Sequence, residues 1–124
     1  MSVLIENLYE VKSFENHEGV LLATVSLNKN HEIFEGHFPE NPVMPGVCMI
    51  QMIKELTETA TGKSLFLSTC SNIKFMEIIN PEKNPVLGLD IHFAQVENTI
   101  KVKSTVTYRD TLALKLNALF QITD

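Results

Sequence analysis

The chain of 124 residues has no tryptophan, one arginine, two cysteines and no apolar run long enough to span a membrane. The lone Arg109 and a net charge of −5 argue against a nucleic-acid partner, because phosphate contacts need clustered basic residues. Cys48 and Cys70 are too few and too widely spaced for a disulfide framework or a zinc site. The N-terminal stretch lacks the basic region and the long apolar run of a signal peptide. We therefore expect a cytoplasmic protein that holds no metal and does not enter a membrane.

Hydrophobic residues make up 44% of the sequence, an ordinary share for a packed globular protein. No linker, repeat or low-complexity stretch divides the chain, and its length suits one domain over residues 1–124. Apolar and polar residues alternate over much of the C-terminal half, which is typical of an antiparallel sheet with one buried face. The predicted strands are Tyr9–Asn16, Gly19–Leu27, Leu65–Phe75, Leu87–Phe93, Ile100–Tyr108 and Leu112–Ile122.

A helix is predicted from Val47 to about Thr61, with Gly62 in the left-handed position past its end. The stretch before it, Asn28–Met44, is a long loop, and long ordered loops in compact domains are usually functional. The first turns of the helix are apolar on nearly every face, so we expect them to be buried all round. The pattern predicts an α+β fold, in which a curved antiparallel sheet wraps one long central helix.

The segment HFPENPVMPGVCMIQ begins at His37 and combines a titratable side chain, three prolines and a Pro-Gly helix start. Proline fixes φ and removes a donor, so the prolines stiffen the connection into the helix. Pro45 suits the first helical position, and Gly46 allows close approach to the backbone. The amides of Gly46, Val47 and Cys48 should then be unpaired at the positive end of the helix dipole. A rigid loop that holds an imidazole near free amide donors suits chemistry on a carbonyl group.

This segment resembles the motif of the β-hydroxyacyl-acyl carrier protein dehydratases, which have the hot-dog fold. His37, Phe38 and Pro39 match the family's His-Phe-Pro. Pro42–Val47 matches its Pro-Val-Met-Pro-Gly-Val residue for residue. The resemblance implies a (3R)-hydroxyacyl-[acyl carrier protein] dehydratase-like protein. Such a protein eliminates water from a 3-hydroxyacyl thioester to give a trans-2-enoyl thioester, in fatty-acid or polyketide-type synthesis.

The resemblance also implies how the substrate is held. His37 is then the catalytic base, and the Gly46 amide binds the thioester oxygen. The other implied substrate-binding residues are Phe38, Pro45 and Val47. No cofactor is implied beyond the phosphopantetheine arm, which carries the substrate on acyl carrier protein or coenzyme A. The family's sites lie at the interface of a homodimer, each using the helix of the other subunit, so we expect a homodimer or a higher oligomer.

The sequence departs from the family pattern at the acidic residue of the helix, which falls here on Gln51, fourteen residues after His37. A leaving hydroxyl normally needs a proton donor, and a carboxamide cannot cycle a proton at neutral pH. Two smaller departures are Glu40, where the family commonly has glycine, and the pair Met76 and Glu77, at positions that are often basic.

Gln51 has two interpretations. With Lys54, Glu55 and Glu58 it forms the i, i+3, i+4, i+7 pattern of a solvated polar stripe, whereas the resemblance places it in the site. Glu55, one turn further on, could replace the missing acid. Cys48, in the first helical turn, is either a nucleophile of lowered pKa or, as we favour, a small buried hydrophobe.

Three functions stay open at the level of the sequence. The dehydratase is favoured by the intact His37. A catalytically weak or inactive hot-dog subunit that binds an acyl thioester is motivated by Gln51. The third is a hot-dog acyl thioesterase, although such enzymes generally need a carboxylate near the thioester, and Gln51 removes the obvious one.

Overall fold

The computed structural model describes residues 7–34 and 44–123. Within these ranges the chain forms six strands in one sheet and one long helix. Each predicted strand and the predicted helix are present, and no helix in this part of the chain is long and apolar enough to cross a membrane. In chain order the elements are β1 (Tyr9–His17), β2 (Val20–Leu27), a 3₁₀ turn at Glu32–Phe34, α1 (Gly46–Thr61), β3 (Leu65–Phe75), β4 (Val86–Val96), β5 (Thr99–Tyr108) and β6 (Thr111–Ile122).

The strands lie in the order β1-β2-β4-β5-β6-β3, so β1 and β3 form the two edges of the sheet. All neighbouring strands pair in the antiparallel sense. Alternate side chains of a strand point to the same face, and the apolar set packs with α1, which contacts β3 and β4. The helix connects β2, next to one edge, with β3 at the other.

The hairpin of β1 and β2 closes through Glu18 and Gly19, whose φ angles are both positive, at 46° and 86°. Two positive φ values are typical of a type I′ turn, whose twist matches that of the paired strands. A Cβ at Gly19 would also lie 2.8 Å from the carbonyl oxygen of Phe93. This position therefore needs glycine for its backbone angle and for the close approach of β4.

Both ends of α1 follow from local chemistry. The helix starts directly after Pro45, which has extended backbone angles of φ −64° and ψ 142°. It ends at Thr61, and Gly62 takes the left-handed conformation at φ 71°, with its amide bonded to the Glu58 carbonyl at 2.8 Å. Glycine adopts this conformation without the steric cost of a Cβ, so the predicted end of the helix is confirmed.

The core lies between α1 and the sheet. Each buried aliphatic side chain contributes about 1.5–3 kcal/mol relative to exposure, so this interface stabilises the packing of α1 on the sheet. The helix contributes Cys48, Met49, Met52, Ile53 and Leu56. Fully buried strand residues include Leu21, Val25, Leu87, Ile91, Ile100, Leu114 and Phe120.

Two expectations about the surface of α1 are wrong. Its first turns are not buried all round, because Val47 is 74% exposed. Glu55 and Glu58 do not belong to a solvated stripe, since they are only 6% and 3% exposed. The reason is tertiary: the side chain of Tyr9 and the backbone of Leu65 cover this side of the helix and bring hydrogen-bond donors to the two carboxylates.

Candidate functional site

The first turn of α1 presents backbone donors. The amides of Cys48 and Met49 both donate to the Pro45 carbonyl, at 3.1 and 3.3 Å. The amides of Gly46 and Val47 lie too early in the helix for an intrahelical acceptor, and no acidic side chain occupies this turn. These two amides therefore stand at the positive end of the helix dipole. The expectation that the Cys48 amide is also unpaired is wrong, because the proline carbonyl accepts its hydrogen bond.

A pocket of about 380 Å³ opens beside these amides. Its walls come from Met44–Gly46 and Met49 on the helix side, and from Phe75–Ile79 at the end of β3. Gly46 forms a close contact here: a Cβ at this position would lie 2.6 Å from Cζ of the Phe75 ring. The Phe75 ring of the same chain thus approaches the Gly46 backbone closely and occupies the space that a Cβ would need.

Exposed apolar side chains surround this pocket. We call Val47, Phe75, Met76 and Ile78 the apolar rim; they are 74%, 56%, 41% and 69% exposed. The last three line the pocket, and Val47 follows Gly46 directly. Exposed apolar residues that cluster in this way mark a surface for a ligand or for another protein chain.

Gln51 is held by a partly buried hydrogen-bond network. Its side-chain amide Nε2 donates to Oε2 of Glu55 at 2.9 Å, and the Tyr9 hydroxyl donates to Oε1 of Glu55 at 2.6 Å. Desolvation, followed by the hydrogen bond to Glu55 and the nearby negative charges of Glu55 and Glu58, raises the pKa of Tyr9 well above its ordinary value. The tyrosine therefore stays protonated at any physiological pH and continues to donate. Gln51 and Glu55 form a fixed pair, not two members of a solvated stripe.

Glu58 has a structural environment of its own. Its Oε2 accepts the amide of Leu65 at 2.8 Å and lies 3.4 Å from Nζ of Lys54. Its Oε1 has no hydrogen-bond partner among the described residues. Since its Oε2 contacts the start of β3 and Lys54, one turn earlier on the helix, Glu58 links α1 to the sheet.

Some of the predicted site residues lie within the described ranges and others do not. Pro45, Gly46 and Val47 stand together at the start of α1, and Gln51 lies one turn after Val47 on the same side of the helix. Other residues of the motif lie outside the described ranges, including His37, Phe38, Pro39 and Pro42. Glu40, one of the departures from the family pattern, also lies outside them. Tyr9 is the member that sequence reasoning missed; it precedes Glu55 by 46 residues, and no local pattern connects the two.

Three remaining candidates are a reactive Cys48, a metal site and a second groove. Burial raises the pKa of the Cys48 thiol, which favours the interpretation as a small buried hydrophobe over a nucleophile. Among the described residues no three or more His, Cys, Asp or Glu side chains are placed to hold a metal ion. A larger groove of about 680 Å³ crosses β3 to β6 and is lined by His92, Lys101 and Lys103 among others. It has no helix amide and no buried carboxylate, so we place the candidate site at α1.

Comparison with known proteins shows the family of this chain. The family model of the ApeI-like proteins, described as ApeI dehydratase, matches residues 13–114. The chain is 32% identical over 112 residues to the 3-hydroxyacyl-[acyl-carrier-protein] dehydratase FabZ of Lactobacillus helveticus, covering 84% of this chain and 74% of that protein. The FabZ of Rickettsia felis is 31% identical over 130 residues, with 98% and 86% covered.

Solved structures give the fold. The dehydratase heterocomplex ApeI:P from Xenorhabdus doucetiae superimposes with a TM-score of 0.74 at 20% identity, over 90% of this chain and 96% of that one. A hypothetical thioesterase with coenzyme A from Streptococcus pneumoniae gives 0.67 at 13% identity, over 93% and 85%. The antiparallel sheet packed on one helix is therefore the hot-dog fold, and the chain belongs to the β-hydroxyacyl-acyl carrier protein dehydratase family.

Proposed function

We propose that this protein eliminates water from a 3-hydroxyacyl thioester to give a trans-2-enoyl thioester. The supporting observation is the start of α1, where the amides of Gly46 and Val47 stand beside an apolar pocket. They lie in the same Pro-rich segment of the chain that begins with His-Phe-Pro. The reaction develops negative charge on the thioester oxygen when the C2 proton leaves. Backbone donors at a helix N-terminus stabilise such charge, typically by several kcal/mol.

Each residue of the motif has a distinct role in this proposal. His37 accepts the C2 proton, as an imidazole with a pKa near neutral pH is suited to do. The Gly46 amide binds the thioester oxygen. Pro45 fixes the entry to the helix, and Val47 and Phe38 contact the acyl chain. No metal or other cofactor takes part, because a base and hydrogen-bond donors are sufficient for this elimination.

The substrate is carried on phosphopantetheine, as the names of the FabZ relatives suggest for acyl carrier protein. Acyl carrier protein and coenzyme A share this arm, and the apolar rim suits the acyl chain more than either carrier. We place the protein in fatty-acid or polyketide-type synthesis. A cytoplasmic location agrees with the free thiols of Cys48 and Cys70, since such thiols persist in a reducing compartment.

A second candidate function is a catalytically weak or inactive subunit that binds the acyl thioester. The observation in its favour is the bond between Gln51 and Glu55, which puts an amide where a proton donor is expected. The test for both functions is one assay of the purified protein. Absorbance of the enoyl thioester should change when a 3-hydroxyacyl or enoyl substrate is added, while a free-thiol assay run beside it stays flat. Release of thiol instead would indicate a thioesterase, and no change in either assay would favour the binding subunit.

Gly46→Ala is expected to lower kcat/KM about 10-fold or more while the melting temperature changes little. The added methyl group meets the exposed end of the Phe75 ring, which can swing aside, so the fold should survive. The same methyl group narrows the approach to the amide that binds the thioester oxygen, and one lost donor of this kind costs about 10²-fold or more. Gly88→Ala in β4 is the control, because its nearest neighbour is the Thr107 side chain, away from the pocket. Wild-type kinetics for Gly46→Ala would remove this amide from the proposal.

We propose a homodimer, since the described part of a single copy leaves the apolar rim and the edge strand β3 uncovered. Light scattering at micromolar concentration should give twice the mass of one chain. Ile78→Glu, in the rim, is expected to shift the protein towards the monomer. Val96→Glu replaces an equally apolar, 47% exposed side chain outside the rim and should leave the dimer intact. An active wild-type monomer would contradict both the dimer and the shared site.

A further inference from the structure

Glu55 is a buried carboxylate whose partners are neutral. It is 6% exposed, and its two oxygens accept hydrogen bonds from the Tyr9 hydroxyl at 2.6 Å and the Gln51 amide at 2.9 Å. Among the described residues it forms no ion pair with a lysine, arginine or histidine. Burying a carboxylate without a cation is costly unless hydrogen bonds satisfy its lone pairs, so both donors are needed to keep it in place.

The charged neighbours of Glu55 do not replace these donors. Lys54 pairs with Glu58 at 3.4 Å, and Glu58 is itself negative. Tyr9 comes from the edge strand β1, and its raised pKa keeps the hydroxyl protonated through the neutral range. The arrangement therefore has two stable donors on one carboxylate at working pH.

The bond to Glu55 fixes which end of the Gln51 side chain faces outward. A carboxamide donates from its nitrogen and accepts at its oxygen, and an ionised carboxylate can only accept. Since Nε2 of Gln51 is engaged with Glu55, the carbonyl Oε1 and the second N–H are left for another partner. A hydrogen bond to a charged group is roughly twice as strong as a neutral one, which disfavours the flipped amide.

We propose that Glu55 and Tyr9 are positioning residues, which hold the Gln51 carboxamide so that its carbonyl oxygen accepts a hydrogen bond from the 3-hydroxyl group of the substrate. This inference rests on the proposed function, because it takes Gln51 to face the substrate. Gln51 is partly exposed and lies one turn from the exposed Val47, on the same side of α1. The outward end of the carboxamide is thus on the side of the helix that carries part of the apolar rim.

In this arrangement Gln51 orients the hydroxyl group and does not protonate it. Both oxygens of Glu55 are engaged by Tyr9 and Gln51, so the proton comes from His37. The imidazole takes the C2 proton, the electron pair of the C2–H bond forms the C2=C3 double bond, and the C3–O bond breaks. The leaving oxygen takes the proton back from the imidazolium and departs as water. The balance is complete with one base, and the carboxamide contributes by holding the C3–O bond in line for elimination.

Glu55→Gln is the central test, because it keeps the size of the side chain and removes its charge. We expect the nitrogen–proton NMR resonances of the Gln51 side-chain amide to move, and kcat to fall about 10-fold with a smaller change in KM. Tyr9→Phe, which removes one donor from Glu55, should give smaller changes in the same direction. Glu58→Gln is the matched control: an equally buried carboxylate on the same helix that has no hydrogen bond to Gln51.

The outcomes separate this inference from the proposed function. A kcat that keeps its wild-type value in a folded Glu55→Gln protein would overturn it, whether or not the Gln51 resonance moves. Equal changes in Glu58→Gln would also overturn it, because the effect would then be general to the helix. If Glu55→Gln does not fold, the comparison of Tyr9→Phe with Glu58→Gln decides in its place. The NMR measurement does not require catalytic activity. If the wild-type protein has no dehydratase activity but the Gln51 resonance moves in Glu55→Gln, the proposed function is wrong and the positioning of the amide by Glu55 is supported.

Discussion

Replacing His37 with alanine is expected to lower kcat/KM for the interconversion of 3-hydroxyacyl and 2-enoyl thioesters by about 10²- to 10⁴-fold, the usual worth of a general base. His37 is the one histidine in the Pro-rich motif, and a carboxamide at position 51 cannot take over its role. The effect should exceed that of a full general base if the same imidazole also protonates the leaving hydroxyl. The fold should survive, because the substitution leaves every residue of the described core between α1 and the sheet unchanged.

The measurement is enoyl thioester absorbance over a range of substrate concentrations, with circular dichroism to verify the fold. His17→Ala is the control, since this histidine is exposed at the end of β1, far along the chain from the motif. The control should keep wild-type kinetics. A His37→Ala protein that retains most of its kcat/KM would make the histidine structural and remove the dehydratase mechanism with it.

The elements of the fold are predictable because local patterns decide them. The alternation in Leu87–Phe93 and Ile100–Tyr108 can bury one face only as a strand, and the observed β4 and β5 contain both stretches. The end of the helix is equally local, because Gly62 can take a left-handed conformation that other residues avoid. The same holds for the positive φ of Gly19 in the first hairpin.

The surface of the helix is not predictable in this way. Glu55 and Glu58 have the spacing of solvated residues, and they become buried only when β1 and the start of β3 pack beside them. Tyr9, the residue that covers Glu55, is distant in sequence, so the periodicity of the helix cannot predict this contact. The exposure of Val47 has the same origin: an apolar residue is buried only where another element reaches it, and none of the described elements covers this one.

The candidate site also has a part that is predictable from local sequence and a part that tertiary contacts determine. The Pro-Gly start of α1 could be inferred from residue types. Proline and glycine act through their own φ preferences, which do not depend on tertiary contacts. The orientation of Gln51 could not, since a carboxamide has two ends and only its neighbour Glu55 decides which end faces outward. Residue type and spacing identify the position of a polar side chain. Tertiary contacts decide whether that side chain presents a donor or an acceptor to the site.

Gln51→Glu is expected to raise the dehydration rate by about 10-fold or more, because it returns a carboxyl group to the position where the leaving hydroxyl needs a proton. The structure adds a reason for that carboxyl to be protonated. It would replace an amide that lies 2.9 Å from Oε2 of Glu55, and two carboxylates so close cannot both ionise easily. Oε1 of Glu55 accepts the Tyr9 hydroxyl, so only Oε2 of Glu55 is left to share a proton with the new carboxyl group.

The pH dependence of this variant follows from the sign of that shift. The pKa of the new carboxyl group is raised in the folded protein, so the gain in rate should be present below the raised pKa and lost as pH rises through it. Stability should behave in the same sense. The charged form is disfavoured only in the folded state, so the variant loses stability relative to wild type as pH rises above about 4.3, the ordinary pKa of glutamate, until the folded group is ionised.

The reciprocal double variant, Gln51→Glu with Glu55→Gln, is the control for this argument. It exchanges the amide and the carboxyl group and keeps a hydrogen bond between them, but it removes the second negative charge. The gain in rate should remain, and it should be lost at a lower pH than in the single variant. Wild-type rates in both variants, with an active wild type, would show that position 51 does not face the substrate. An inactive wild type that Gln51→Glu switches on would instead support the binding subunit, because the pocket would then be intact and only the proton donor absent.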